Sequence, residues 1–273
     1  MILTVLSACA LQAMVLMLIM AVAWLVQRRT GNSGWIDVGW TLAVGSVGVA
    51  SALVPLPGMA PLPARQAAVA LLLALWSLRL AAHLAQRSLR HGDDPRYAAL
   101  IAPWGPAAAW RLLSFAQGQA LAGMPLVATV SLAAHRSGPA IGAQDLLGLS
   151  LWAVSIALSA LADRQMRRFA SNPANRGQVC QQGLWAWSRH PNYFFEWLGW
   201  AGVALIAIDV TSGPSISLLA LAAPVWMYWL LVHVSGIPPL EEHLLRTRAA
   251  LFRDYQKRVS PFFPWPPASN SLR

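Results

Sequence analysis

The chain has 273 residues, 57% of them hydrophobic and 11% charged, with a mean hydropathy of +0.50. That excludes an ordinary soluble globular domain or a disordered chain, and predicts an all-α polytopic membrane protein, a single integral membrane domain over residues 1–273 whose partner is the lipid bilayer. The net charge of +10 sits in short loops between apolar segments rather than on one basic face, which argues against nucleic acid as a partner.

Seven segments are long and apolar enough to span: about 2–26, 36–54, 66–86, 117–135, 145–162, 192–210 and 215–235. The first has no charged stretch before it and is too long for a cleavable signal core, so it is expected to stay as a transmembrane helix. Arg28 and Arg29 with Asn32-Ser33-Gly34 end it. The proline-rich stretch 55–63 separates the second segment from the third, His135 to Gly142 the fourth from the fifth, and Ser212-Gly213-Pro214 makes the last tight turn. Cys9 lies in an apolar segment and Cys180 in a basic loop, which supports neither a disulfide framework nor a thiolate metal site.

Counting basic residues predicts orientation. With the N-terminus outside and the C-terminus cytoplasmic, seventeen of the twenty Lys and Arg fall on the cytoplasmic side; Arg65 and Arg136 face outward, and Arg79 lies within the third segment. That topology gathers the dense polar clusters at one side of the membrane. The tail, with Leu240, Leu244, Leu251 and Tyr255 on one side and Glu241, Arg248 and Arg258 elsewhere, is expected to be an amphipathic helix over the bundle mouth.

Four clusters carry candidate chemistry. Asp37, in NSGWIDVGW, suits either a helix first turn stabilised by the dipole or a proton donor or substrate anchor. Arg79, His83 and Arg87 repeat every four residues along the third segment, where ionisable groups should face protein or water; Asp94, Arg96 and Tyr97 follow in a loop that also fits a salt-bridged cap. In the fifth loop, Asp163 precedes Arg167 and Arg168 by one turn, a pattern that fits phosphate binding and membrane anchoring alike. The densest cluster is GLWAWSRHPNYFFEWLG. Pro191 suits a first helical turn, leaving Arg189 and His190 beside exposed amides, a place for an anion. Asn192 and Glu196 are four apart and share a helix face, and Glu196, one turn into a membrane helix, is costly unless paired or functional. Tyr193 also fits an aromatic belt. Soluble cofactor motifs such as GxGxxG, a Walker loop, HExxH or CxxC are missing; His83 and His233 read as hydrogen-bonded histidines rather than haem ligands, and no metal is expected.

These residues resemble a superfamily of membrane enzymes that contains steroid 5-alpha-reductases, sterol reductases and isoprenylcysteine carboxyl methyltransferases, and most nearly its bacterial steroid 5-alpha-reductase-like branch. The likeness is carried by NSGWIDVGW, RLAAHLAQRSLRHGDDPRY, GLWAWSRHPNYFFEWLGW and GIPPLEEHLLRTRAALFRDYQKRVSPFFPWPP, spanning most of Asn32 to Pro267. It implies N-terminal helices over 1–135, a cofactor-binding half over 145–267, and NADPH-dependent reduction of the activated double bond of an enone, in a steroid-like or other lipophilic small molecule. The expected setting is a bacterial inner membrane with the site open to the cytoplasm. By that likeness Asp163, Asn192 and Glu196 contact the nicotinamide nucleotide, Arg167, Arg168 and Arg189 its phosphates, and Tyr255 closes the site; Arg87, Asp94, Arg96, Tyr97, His190, Tyr193 and Glu242 complete the cofactor set. The glutamine-glutamate pair and tyrosine that serve as the acid network in eukaryotic steroid reductases are absent. Trp76, Arg79 and His83 stand in the corresponding region, which makes Asp37, Arg79 and His83 the catalytic candidates. The methyltransferase branch implies S-adenosylmethionine instead, with His190, Glu241, Glu242, Leu245, Arg246 and Tyr255 involved and a lipid or prenylated substrate. A third reading is a non-catalytic lipid-binding membrane protein.

Overall fold

The computed structural model describes residues 2–55, 63–138, 141–209 and 216–267, and all regular structure among them is helical. The α-helices are α1 (Ile2–Thr30), α2 (Gly34–Leu53), α3 (Pro63–His91), α4 (Pro95–Ile101), α5 (Ala108–Ala122), α6 (Met124–His135), α7 (Ala143–Ser171), α8 (Pro191–Ala207), α9 (Ala222–Trp229) and α10 (Ile237–Arg258), and a π-turn over Leu230–Val234 joins the last two regions. Five helical stretches are long and apolar enough to cross a membrane: Leu6–Thr30, Gly34–Leu53, Pro63–Arg90, Ala143–Ser171 and Ile216–Arg258. By length and composition this is an integral membrane protein.

Two of the seven expected segments look different. The fourth, about 117–135, is two helices, because Pro125 has no amide hydrogen to extend α5 and Gly123 closes it by donating to the Gln119 and Ala120 carbonyls, each at 3.1 Å. The sixth, about 192–210, is α8, which has 17 residues and ends at Ala207. The expected turn at Ser212 to Pro214 and most of the proline-rich break at 55–63 lie outside the described residues.

The chain forms two compact units, each drawn from two stretches: unit 1 from Met1–Ser150 and Gly202–Ala223, unit 2 from Leu151–Ala201 and Pro224–Arg273. In unit 1, α2 is the most enclosed of the membrane-length helices. Its glycines leave no room for a side chain: a Cβ at Gly45 would collide with Ser77, one at Gly48 with Leu73 and one at Gly39 with Ala23. Small residues thus bring α1, α2 and α3 close, as in membrane helix packing generally. Polar crosslinks add to this, with Ser77 Oγ donating to the Thr41 carbonyl (3.0 Å), Gln12 to Ser51 Oγ (2.8 Å), and the Trp24 and Trp40 indoles to the Ala109 and Gln119 carbonyls (both 2.9 Å).

Arg65 and Arg136 converge on one carboxylate. Arg65 and Asp145 are both fully buried and joined at 2.9 Å, Arg136 Nη2 lies 2.7 and 2.8 Å from the two Asp145 oxygens, and the Gly142 amide donates to Asp145 at 2.8 Å. Arg65 also donates to the Arg136 carbonyl. The starts of α3 and α7 are stapled together there.

In unit 2, α10 leaves helical geometry at Arg248 (φ −147°, ψ 42°). Beyond that break the packed residues are Phe252, Tyr255 and Val259, set against Val179, Leu244 and Leu245, while Leu251 stays exposed. Of the expected stripe Tyr255 is packed while Leu251 is not; Phe252, seven residues after Leu245, packs in its place. Phe194, Trp197, Tyr228, Phe262 and Phe263 form an aromatic cluster with ring centres 5.2–5.9 Å apart in several edge-to-face pairs.

Candidate functional site

Unit 1 gathers five of the candidate residues into one hydrogen-bonded chain. Asn32 begins it, donating to the Ser88 and Gly92 carbonyls at 2.7 and 2.8 Å, while the Ser33 amide donates to Asp93 at 2.6 Å; the start of α2 is thereby tied to the end of α3. Asp94 caps α4, accepting from the Arg96 amide at 3.0 Å with Pro95 at the first helical position. Arg96 forks between two acids, Nη2 lying 2.7 Å from both Asp37 Oδ2 and Asp94 Oδ2, and Arg87 pairs with Asp94 as well. Tyr97 Oη donates to Asp37 Oδ1 at 2.7 Å and accepts from Gln119 Nε2 at 3.2 Å. Burial works to raise the Asp94 pKa, but its hydrogen bond to Arg96 and the charges of Arg96 and Arg87 outweigh that and hold it below the ordinary 3.8. Burial, with the Asp37 charge, pushes the Tyr97 hydroxyl well above its ordinary 10.0, so Tyr97 keeps its proton. His83 and Arg79 follow one and two turns earlier on α3, both half-buried.

Unit 2 brings the other candidates together around α7, α8 and α10. Asn192 Nδ2 lies 3.3 Å from Asp163 Oδ1, and Ser159 Oγ donates to Glu196 Oε1 at 2.8 Å, so α7 and α8 share two polar pairs. The Asn192 Oδ1 atom is buried and has no hydrogen-bond partner among the described residues. Buried acceptors are nearly always satisfied, so this oxygen is open to a donor that the described residues do not supply.

Arg189 and His190 are engaged by the tail. Arg189 forms a fork with Glu241 (2.8 and 3.2 Å) and donates to the Val259 carbonyl (2.6 Å); His190 Nε2 lies 3.1 Å from Glu241, and Gln256 donates to the same carboxylate at 2.8 Å. His190 stacks on Tyr193, ring centres 5.6 Å apart. Burial lowers the His190 pKa and the charge of Arg189 helps, against the opposing pull of Glu241, leaving it below the ordinary 6.5. Tyr255 is buried and donates to the Trp185 and Ser188 carbonyls. The residues after α10 return the connection: the Arg189 amide donates to Ser260 O (2.8 Å), Ser188 Oγ to Phe262 O (2.8 Å) and the Trp265 amide to Trp187 O (2.9 Å). Arg189, His190 and Tyr255 thus hold the tail to the turn before α8. Glu242 is exposed and pairs with Arg246.

Beside this clamp lies a cavity of about 520 Å³, walled by Phe169, Trp185 and Phe252 and bordered by Asn172, Asn175, Arg176 and Arg248. A smaller cavity of about 420 Å³ adjoins it, sharing Phe169, Asn172, Asn175 and Cys180 and adding Gln165, Arg168 and Gln182. Ser159, Asp163, Met166 and Ala170 follow at three- and four-residue spacing, so the polar pairs and the larger cavity occupy one side of α7. Arg167 and Arg168 are exposed near the end of that helix. Sequence reasoning did not single out Arg176 as a site residue, placed Arg248 and Glu241 on the face of a helix, and gave Glu241 a site role only through the methyltransferase likeness. The turn signals Asn172-Pro173 and Asn175-Arg176-Gly177 were the available pointer to the cavity rim.

Searches among curated proteins and among solved structures return no match. A family comparison matches residues 23–259, nearly the whole chain, to a family described as "Protein of unknown function (DUF1295)". The chain therefore belongs to the DUF1295 family, a steroid 5-alpha-reductase-like membrane family.

Proposed function

We propose that this protein is an NADPH-dependent membrane oxidoreductase that reduces an activated carbon–carbon double bond in a lipid-like substrate. The observation that carries the reading is the 520 Å³ cavity of unit 2, with aromatic walls and a cationic rim. Its volume falls within the roughly 300–1,000 Å³ of small-molecule and cofactor sites. The cavity residues fit the adenine-nucleotide part of the cofactor, the rings suiting a base and the arginines phosphate; Asn192, which is not among the cavity's lining residues, has an unsatisfied Oδ1 that suits an amide donor such as a carboxamide.

In this reading Asp163, Asn192 and Glu196 orient the nicotinamide nucleotide, and the clamp formed by Arg189, His190, Glu241 and Tyr255 keeps the tail helix in place as a wall of the cavity. NADPH, when bound, supplies a hydride. Reduction of an enone then requires one proton and a hydrogen-bond donor for the developing enolate. Asp37, which accepts the Tyr97 hydroxyl hydrogen bond, is the proposed acid–base residue, with Arg79 and His83 as further candidates along α3. The chain is proposed to cross the membrane seven times, N-terminus outside, with its arginine-rich loops and the amphipathic tail helix in the cytoplasm.

The test is a thermal-shift titration of the detergent-purified protein with NADPH, NADH and S-adenosylmethionine, because a ligand that binds only the folded state stabilises it by about 2.7 kcal/mol at a hundredfold excess over Kd. Stabilisation by NADPH is expected. A response to S-adenosylmethionine alone would overturn the reductase reading in favour of a methyltransferase. Glu196→Gln is expected to abolish nucleotide binding or turnover with the fold retained, and full activity in that variant would remove Glu196 from the site.

A further inference from the structure

We propose that Arg176 and Arg248 form a clasp for a phosphomonoester, and that this clasp selects the 2′-phosphate of NADPH; the inference rests on the nucleotide reading of the same cavity. Three cationic side chains line that cavity, Arg176, Arg189 and Arg248. Arg189 is neutralised by its fork with Glu241. Arg176 and Arg248 form no side-chain hydrogen bond or ion pair among the described residues, and no Asp or Glu lines the cavity among them. The asparagines of the rim are neutral and tied into the turn, Asn172 Oδ1 accepting from the Ala174 amide (3.1 Å) and Asn175 Nδ2 donating to the Phe169 carbonyl (2.9 Å). They shape the turn that carries Arg176 and leave the two guanidinium groups as its uncompensated charge.

Two unpaired guanidinium charges match a phosphomonoester, which carries about −1.5 to −2 at neutral pH, better than a singly charged diester. Arginine suits that role because its planar fork presents two parallel N–H donors to phosphate oxygens. Each arginine comes from a different segment, one from the turn after α7 and one from the break in α10, so a phosphate held between them would also fix the tail helix against that turn. The rings on the remaining wall offer a surface for an adenine beside that phosphate. Arg167 lines neither cavity and Arg168 only the smaller one, so the discrimination between NADPH and NADH is assigned to Arg176 and Arg248.

The experiment uses the full chain in detergent and measures binding of adenosine 2′,5′-bisphosphate, AMP, NADPH, NADH and a short-chain phosphatidic acid to the wild type, Arg176→Gln, Arg248→Gln and the matching Lys variants. Neither arginine has a side-chain partner among the described residues, so the Gln variants are expected to keep the wild-type Tm. Each should weaken the bisphosphate about tenfold to a hundredfold, leave AMP within about twofold, and erase the preference for NADPH over NADH. The Lys variants, which keep the charge without the fork, should retain part of the preference. Unchanged NADPH binding in both Gln variants would overturn the clasp while leaving the nucleotide site standing, and equal loss of AMP and the bisphosphate would overturn the 2′-phosphate assignment. If no nucleotide binds but phosphatidic acid does, and its binding depends on the two arginines, the clasp holds a lipid headgroup and both the NADPH assignment and the reductase reading fall. Binding of neither class overturns both proposals.

Discussion

Glu241 receives Arg189, His190 and Gln256 at once, and through Arg189 the tail is tied to the turn before α8. Removing a nearly buried pair's acid leaves a guanidinium without its counter-charge, a loss of roughly 3–5 kcal/mol in comparable sites. Glu241→Gln is therefore expected to lower Tm by several degrees, and an unchanged Tm would show that the clamp adds little. His190 gives the same clamp a pH dependence. Its pKa is lowered in the fold, so the unfolded chain takes up a proton at higher pH than the folded one; stability is full above the ordinary 6.5 and falls as pH drops from there toward the folded value. Tm measured across that window should slope in the wild type and flatten in His190→Gln. Much of the cluster was readable at this scale: SRHPNY and Glu196 stand out because charged and polar groups are costly near a membrane helix. Glu241 was not read as the partner of Arg189, because a pairing across 52 residues leaves no periodicity in the chain.

At the scale of the element, hydropathy and length located five long helices, and local chemistry decided the rest. The break between α5 and α6 lay in Gly123-Met124-Pro125, an interruption that mean hydropathy smooths over. The break in α10 had no such marker, since Arg248 is an ordinary helix former. Helix contacts in unit 1 depend on missing atoms. Gly45→Leu is expected to force α2 away from Ser77 on α3, and overpacking of this kind typically removes about 1–3 kcal/mol. Asp145→Asn should do more, because it leaves Arg65 and Arg136 facing each other with no carboxylate, and breaking a buried pair removes about 3–5 kcal/mol. Denaturation midpoints of the two variants, compared with wild type, check the order.

The charge of the whole molecule is lopsided in sequence, with seventeen of twenty basic residues in alternate loops and the tail. The proposed topology follows from that bias and gives a labelling test: single cysteines placed in the loop before α7 should react with an impermeant thiol reagent from outside intact cells, and those after α7 only once the cells are opened. The reverse pattern would invert the topology and put the cavity of unit 2 on the outer face. Composition made the membrane class and the helical architecture legible. It gave no hint of how the chain is shared between units, because that depends on which helices pack and not on their apolarity.

That sharing bears on how the protein is made. Unit 1 is complete only when Gly202–Ala223 have joined Met1–Ser150, by which time the ribosome has already delivered Leu151–Ala201 of unit 2. Neither unit can finish assembling before the other has begun, and α7 and α8 each start in one and end in the other. A chain stopped before residue 202 therefore lacks part of both units, and early truncations are expected to be cleared by proteolysis rather than to accumulate as a stable half.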